Sequence, residues 1–171
     1  MQKILSAEQM KEADGRTISG GIPSLVLMER AAMAVVDSMR ECGFDTRHAI
    51  ILCGTGNNGG DGLAVARILC DQGDAAQIVT VGSPDRYSTE RRQQEEMLQP
   101  YDLSWYRSLS DTDLEHATVI LDALFGIGLS REVGGDWKTC IEEANASGIP
   151  IVAIDMPSGI HTDTGALLGT A

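Results

Sequence analysis

The sequence predicts an α/β domain in which a largely parallel sheet lies between layers of helices. Short apolar runs alternate with amphipathic or polar helical segments along the chain. Helical segments of about 10 to 15 residues between such runs are typical of right-handed crossovers that join parallel strands. The chain has 171 residues and no linker rich in Pro, Gly and Ser, so we expect residues 1–171 to form a single domain.

Two helices are predicted before the first strand. Ser6 and Gln9 have the spacing of a capping box, and we expect the helix that they begin to end near Gly15. Pro23 suits the first turn of a second helix, which Gly43 would end. The buried face of that helix is predicted from residues spaced three and four apart, namely Leu25, Met28, Ala32, Val35 and Met39.

Strands and helices alternate through the rest of the chain. Short apolar runs predict strands at 48–53, 76–81, 117–121 and 150–154, with a weaker strand near 103–106. Helical patterns occupy residues 60–72, 88–99 and 136–147. The 88–99 segment is polar along its length, which predicts a surface helix that Pro100 ends.

The charge balance excludes some classes of partner. There are 13 Lys and Arg residues against 25 Asp and Glu residues, a formal net charge of −12. Nucleic acids and anionic membranes are bound through basic surfaces, so we expect neither as a partner. The N-terminal residues have no signal-peptide pattern, and no run of about 18 apolar residues occurs. We therefore expect a cytoplasmic protein.

The four cysteines carry no metal or disulfide pattern. No two of them form a C-x-x-C pair, and none clusters with histidine in the sequence. Their spacing instead predicts small apolar core residues in a reduced compartment, at Cys42, Cys53, Cys70 and Cys140.

Three loops rich in Gly and Asp follow predicted strands. They comprise residues 54–62, 122–132 and 155–165. In open parallel sheets, ligands bind beyond the carboxyl ends of the strands, where such loops converge. The sequence therefore predicts one crevice that all three loops line.

The first of these loops has the G-x-G-x-x-G pattern of a dinucleotide site. Gly54, Gly56 and Gly59 lie between a strand and a helix, where backbone amides can bind a pyrophosphate. A plain Asn58-Gly59 turn is the alternative, although such turns usually join two strands. An ordinary dehydrogenase would also have an acid after the second strand to bind the adenine ribose, and no acid occurs there before Asp85.

Three motifs in this order resemble the NAD(P)HX epimerase family, also called the YjeF N-terminal domain. They are NNGGDG at 57–62, DALFGIG at 122–128 and AIDMPSG at 153–159. The segment MERAAMAVVDSM at 28–39 is also similar to that family. The resemblance implies a Rossmann-like three-layer α/β/α sandwich with a largely parallel sheet.

The resemblance also implies an isomerase of nicotinamide cofactor repair. The family interconverts the R and S forms of hydrated NADH and NADPH, and a partner dehydratase acts on the S form. The residues that would contact this substrate, carried over from the family, are Asn57, Asn58, Gly59, Gly60, Asp61, Gly126, Ile127, Gly128, Leu129, Ser130, Arg131, Glu132 and Asp155.

One potassium ion per subunit is expected from the same resemblance. Asn58, Asp122 and Ser158 match the family's potassium ligands. Amide, carboxylate and hydroxyl oxygens suit a large, weakly polarising cation, whereas thiols and imidazoles do not. For Asp122 the alternative is a structural role as a cap after a strand.

Asp155 is the residue expected to transfer the proton. Loss of stereochemistry at the hydroxyl-bearing carbon requires acid and base catalysis, whether hydroxide leaves and returns or the ring opens. Capping of a turn is the alternative for Asp155. His161 is a second candidate, against the alternative of a solvent-exposed loop histidine.

The sequence also departs from the family pattern. Ile127 stands where the family usually has Thr, and we expect the chain to lack the family's C-terminal portion with its Lys-bearing segment. A noncatalytic nucleotide-binding or protein-binding module on the same fold is therefore the alternative function, as in relatives that include a messenger-RNA decapping scaffold and an apolipoprotein-binding protein. The Met-rich and Ala-rich N-terminal helices predict a homodimer.

Overall fold

The computed structural model describes residues 4–171, and five parallel strands form its sheet. The strands are β1 (His48–Cys53), β2 (Ala75–Thr80), β3 (Ser104–Tyr106), β4 (Val119–Ala123) and β5 (Ile151–Ala153). Their spatial order is β3-β2-β1-β4-β5, and every pairing is parallel. Chain order reverses between β1 and β4, which makes this position the topological switch point of the sheet.

Helices cover both faces of the sheet. They are α1 (Ala7–Ser19), α2 (Ser24–Glu41), α3 (Asn57–Asp71), α4 (Thr89–Met97) and α5 (Asp136–Ala146). Apolar residues of α2 and α3 pack with Ile51 and Leu121 on one face. Residues of α5 pack with Ile50 and Ile120 on the other. The alternation along the strands thus confirms the predicted three-layer sandwich.

The third helix begins three residues earlier than the sequence predicts. It starts at Asn57 rather than at residue 60, so the Asn-Asn-Gly-Gly segment forms its first turn. Gly56 is the N-cap residue in an extended conformation. The sequence did not predict this helix start because Gly, present at 59 and 60, is unfavourable within helices and usually indicates a turn.

The first helix extends beyond its predicted end. The capping box at Ser6 and Gln9 is present, but the helix continues through Gly15 to Ser19. Gly20 ends it, donating from its backbone amide to the Arg16 carbonyl. A single glycine costs a helix only about 1 kcal/mol, so it need not end one.

Two further predictions about burial are wrong. The fourth helix is not a purely polar surface helix, because Arg91 and Gln94 are fully buried. Cys42 is exposed, although Cys53 and Cys140 lie in the core as expected. No helix among residues 4–171 is long and apolar enough to cross a membrane.

Strand β4 lies two residues further along the chain than predicted. It spans Val119–Ala123 and therefore includes Asp122, which pairs in register with Leu52 on β1 and Ala153 on β5. A carboxylate near the end of a central strand is held by neighbours on both sides. This position places Asp122 beside the switch point of the sheet.

Candidate functional site

The three loops meet at the carboxyl edge of the sheet, as the sequence predicts. Asp122 connects the second loop to the third, since its Oδ2 accepts from the Ser158 backbone amide at 2.7 Å and its Oδ1 from the Ser158 hydroxyl at 2.6 Å. Oδ1 also accepts from the Leu124 amide at 3.1 Å. The Phe125 amide donates to Ser158 Oγ at 3.0 Å. These bonds fix the second and third loops against each other.

The surroundings of the buried Asp122 carboxylate have opposing effects on its pKa. Burial raises the pKa of Asp122, while the hydrogen bonds from the Ser158 hydroxyl, the Ser158 amide and the Leu124 amide lower it. The net direction is upward. A cation beside this carboxylate would favour the charged form.

Asp155 lies where the third loop approaches the second. Its Oδ2 accepts from the Ile127 amide at 2.9 Å, and its side chain is exposed. The same oxygen occupies the space that a Cβ at Gly126 would need, and Asn58 Cβ lies 3.4 Å from that position. Gly126 is therefore the point at which the ends of β1, β4 and β5 converge, and glycine alone leaves room for the Asp155 carboxylate.

The first turn of α3 presents free backbone amides to this crevice. The amides of Asn57, Asn58 and Gly59 precede the first hydrogen bond of the helix, which runs from the Gly60 amide to the Gly56 carbonyl at 3.2 Å. The positive end of the helix dipole adds to their attraction for an anion. Gly59 and Gly60, both predicted to contact the ligand, are buried, and the Gly60 amide is already bonded.

Three successive carbonyls at the end of β1 and the start of the first loop accept hydrogen bonds from protein donors. Those of Cys53 and Thr55 accept from the backbone amides of Val81 and Ser88 at 3.0 and 2.9 Å. The carbonyl of Gly54 accepts from Arg91 Nε at 2.7 Å. With its acceptors satisfied by protein donors, the loop can offer a ligand its amides.

Asn58 carries the buried amide that fits a bound cation. Neither Oδ1 nor Nδ2 of its side chain has a hydrogen-bond partner among residues 4–171, although both atoms are buried. An unpaired buried amide costs about 1 to 3 kcal/mol, so such a group usually has a protein, water or ion partner. Asn58 Oδ1 is thus available to a cation, as are the lone pairs that Asp122 and Ser158 do not use.

Among the carboxyl groups of the site, Asp61 has the largest shift in pKa. Burial, followed by the negative charges of Asp155 and Asp14, raises the pKa of Asp61 to about 7. Asp61 follows the free amides of α3 by one helical turn. The site therefore contains an exposed carboxylate at Asp155 and a half-buried carboxyl that exchanges a proton near neutral pH.

The second loop turns tightly after Gly126. The Leu129 amide donates to the Gly126 carbonyl at 3.2 Å, and the Leu129 side chain is buried in the core. Ile127 is half-buried. The exposed residues of this loop are Gly128, Ser130, Arg131 and Glu132.

His161 lies in the folded-back part of the third loop. Its backbone amide donates to the Ala166 carbonyl at 2.9 Å, and its Nδ1 lies 3.3 Å from the Asp163 amide. Asp163 in turn accepts from the Ala7 amide at 2.8 Å, which joins α1 to this loop. The imidazole is half-buried rather than fully exposed.

Sequence reasoning missed Arg91, whose side chain is fully buried behind the first loop. Besides the Gly54 carbonyl, its guanidinium contacts Glu95 Oε2 at 2.7 Å and lies 3.3 Å from the centre of the Tyr87 ring. Nη2 is buried without a partner among the described residues. The polar 88–99 segment gave no apolar periodicity that distinguished Arg91 from its exposed neighbour Arg92.

Sequence reasoning also missed the aromatic pair beside the second loop. Phe125 and Trp137 have ring centroids 4.8 Å apart at an interplanar angle of 43°. Together with residues of the second loop they line a cavity of about 200 Å³, whose lining includes Arg131 and Glu132. No sequence motif joins Phe125 to Trp137, which is the second residue of α5.

Comparisons with known proteins place the chain in a family. The model of the family described as "YjeF-related protein N-terminus" matches residues 24–171. The chain is 46% identical over 173 residues to a protein of Lentilactobacillus buchneri named NAD(P)H-hydrate epimerase, a match that covers 100% of this chain and 80% of that protein. A protein of the same name from Limosilactobacillus reuteri is 44% identical, with 99% of this chain and 80% of that protein covered.

A solved structure has the same fold. The crystal structure of the yeast protein ynu0 superimposes with a TM-score of 0.79 at 26% sequence identity. The match covers 97% of this chain and 75% of the yeast chain.

Proposed function

The chain belongs to the family of YjeF-related protein N-termini, and we propose that it interconverts the R and S forms of hydrated NADH and NADPH. It is an NAD(P)H-hydrate epimerase, an isomerase of cofactor repair, as its relatives are named. The observation that carries the proposal is the convergence at Gly126 of Asp155, Asn58 and the second loop. The family match over residues 24–171 confirms the family that the three sequence motifs indicate.

The dinucleotide would bind through its pyrophosphate at the start of α3. The amides of Asn57, Asn58 and Gly59 precede the first hydrogen bond of α3 and lie at the positive end of its dipole. A chain with a net charge of −12 has few cations to offer a phosphate. Backbone amides therefore supply most of the donors, and Arg131 on the second loop adds a charged one.

We include one potassium ion per subunit in this proposal, bound by Asn58, Asp122 and Ser158. The unpaired, buried amide of Asn58 supports it, as does a ligand set that consists of oxygen atoms. The ion would supply positive charge beside the pyrophosphate, and the Asp122 carboxylate would balance that charge. Ser158, held by both Asp122 and the Phe125 amide, would orient its remaining lone pair.

Proton transfer is assigned to Asp155. The reaction breaks and re-forms a bond at the hydroxyl-bearing carbon of the hydrated ring, and one proton has to be delivered and recovered in each cycle. Asp155 is exposed at the crevice and is oriented by the Ile127 amide. Asp61 lies on the same side of the crevice, close enough for its protonation to respond to the charge of Asp155.

Self-association and delivery of product to a dehydratase complete the proposal. No residue of α1 is buried, and apolar side chains of the N-terminal helical region are 43–51% exposed, namely Leu5, Met10, Ile18, Ile22, Val26 and Met33. A second copy of this chain that packs on these helices would remove that apolar surface from water. The dehydratase would consume the S form and pull the equilibrium towards it.

The experiment starts from the purified R epimer of hydrated NADH. Its conversion to the S epimer is followed by chromatography, with the spontaneous rate subtracted. Conversion that is proportional to protein concentration supports the proposal. A protein that binds the dinucleotide without accelerating conversion would instead be a noncatalytic binding module.

A further inference from the structure

We infer that the cavity lined by Phe125, Trp137 and the second loop is the subsite for the purine ring of the dinucleotide. This inference rests on the proposed function, because it assumes that a nicotinamide dinucleotide is the ligand. It adds Trp137 to the site and gives the bound dinucleotide a direction across the sheet.

The indole ring of Trp137 is held at the junction of the first loop, the second loop and the end of β2. A Cβ at Gly82 would lie 2.5 Å from Cζ2 of the indole and 2.7 Å from Cγ2 of Thr55. Gly82, just after β2, has a positive φ of 92° and leaves the space that the ring fills. Phe125 packs against the indole at 4.8 Å between centroids. Contacts on both sides fix the ring before any ligand binds.

The sheet order gives the dinucleotide its direction. Strands β2 and β5 lie on opposite sides of the switch point between β1 and β4. A dinucleotide that crosses a switch point places its two halves beyond strands on either side. Asp155 follows β5 and acts on the hydrated nicotinamide ring, so the adenosine half extends towards the end of β2. Trp137 and Gly82 occupy that end.

The chemistry of the cavity suits a purine better than a hydrated nicotinamide. Addition of water removes the aromaticity of the nicotinamide ring, whereas the purine keeps a flat π-system that stacks on aromatic side chains. Apolar walls from Leu129 and Val133 and the charged groups of Arg131 and Glu132 complete the lining. Arg131 offers a donor to a ribose or phosphate oxygen, and Glu132 offers an acceptor to a ribose hydroxyl.

Stacking on Trp137 also accounts for the missing ribose acid. In ordinary dinucleotide folds a carboxylate at the end of the second strand binds the adenosine ribose. Here Val81, Gly82 and Ser83 follow β2, and an indole lies against Gly82 instead. The adenosine half is therefore held by a ring face and needs no carboxylate at the end of the second strand.

The test uses the fluorescence of Trp137. The chain has two tryptophans, and Trp105 lies on the edge strand β3. A Trp105→Phe variant leaves Trp137 as the sole indole, and a Trp137→Phe variant leaves Trp105 as the control. AMP should quench or shift the emission of the Trp105→Phe variant in a saturable manner and leave the Trp137→Phe variant unchanged. Nicotinamide mononucleotide and inorganic phosphate should change the emission of neither.

Kinetics separate a binding role of Trp137 from a structural one. Replacing the indole by Leu should raise the KM for the hydrated dinucleotide about 10-fold, the usual effect of losing one base-stacking partner. The kcat should stay close to that of the parent, because stacking far from the reacting ring stabilises the bound substrate and the transition state equally. Trp137→Phe, which keeps a ring, should restore most of the affinity.

Two results would overturn the inference. One is Trp137 emission that does not respond to AMP, or responds equally to nicotinamide mononucleotide. The other is a folded Trp137→Leu variant with the parent KM. The proposed function is tested separately. AMP binding without epimerisation would reject the epimerase function and keep the purine site. Epimerisation without a response to AMP would keep the function and reject the purine site.

Discussion

Arg91 donates from its Nε to the carbonyl oxygen of Gly54 at 2.7 Å, and this bond joins a fully buried cation to the loop at the end of β1. The guanidinium also pairs with Glu95 and stacks on Tyr87. Removing it would leave the Gly54 carbonyl without its donor. The backbone that carries the amides proposed to bind the pyrophosphate thus depends on a side chain 37 residues away in the sequence.

We expect Arg91→Met to destabilise the protein by about 3 kcal/mol, measured by urea unfolding, because a buried hydrogen-bonded charge and its ring contact are lost. Arg92→Met is the matched control. Its side chain is exposed and also donates to a carbonyl, that of Pro84 at 2.6 Å, so its effect should stay within about 0.5 kcal/mol. Equal decreases in the free energy of unfolding for the two variants would show that burial of Arg91 contributes nothing to stability.

Asp155→Asn should slow interconversion of the R and S epimers by about 10² to 10⁴, the usual contribution of a positioned acid or base. Dinucleotide binding should persist, because the asparagine oxygen can still accept from the Ile127 amide. Asp102→Asn, in an exposed turn, is the control and should keep the parent rate. An Asp155→Asn variant at the parent rate would remove this carboxylate from the mechanism and leave Asp61 and His161 as candidates.

Asp61 should make stability depend on pH. Its pKa is raised from 3.8 to about 7, so between these values the folded protein binds more protons than the unfolded chain. Stability should therefore fall as the pH rises through this window. Asp61→Asn should be more stable than the parent by about 1 to 3 kcal/mol at pH 8 and similar to it at pH 4. A stability difference that is the same at both pH values would contradict this account.

Potassium should stabilise the parent protein through Asn58. In sodium buffer, Asn58→Leu should unfold at a higher temperature than the parent, because the variant removes an unpaired buried amide. Exchange of sodium for potassium at equal ionic strength should raise the Tm of the parent and leave the variant unchanged. Potassium that raises both Tm values equally would rule out Asn58 as a ligand.

The exposed apolar side chains of the N-terminal helices should support self-association. Light scattering should give the parent twice the mass of one chain, which is 18.2 kDa. Met33→Glu should reduce the measured mass towards that of one chain, because Met33 is 51% exposed on α2. Met97→Glu is the matched control, since Met97 is 46% exposed on α4, far from those helices in the sequence, and should leave the mass unchanged.

Local patterns were sufficient to determine the elements of the fold and the three loops of the site. The capping box at Ser6, the apolar run at 48–53 and the glycines after it act within a few residues of one another, and the structure contains each feature. The carboxyl ends of parallel strands share one edge, so the convergence of the loops also followed from the order of the elements. Element ends were less certain, as at α3, where glycines that permit close packing also indicate a turn.

Only the tertiary structure decided which side chains are buried around those loops. Arg91 and Arg92 are adjacent in a polar helix, yet α3 and the first loop bury one of them and leave the other exposed. Trp137, near the start of α5, meets Gly82 and Phe125 through packing between segments that lie apart in the chain. The high pKa of Asp61 likewise arises from burial and from two distant carboxylates. Burial and electrostatic energies depend on distances through space, and residues far apart in the chain set those distances once they pack.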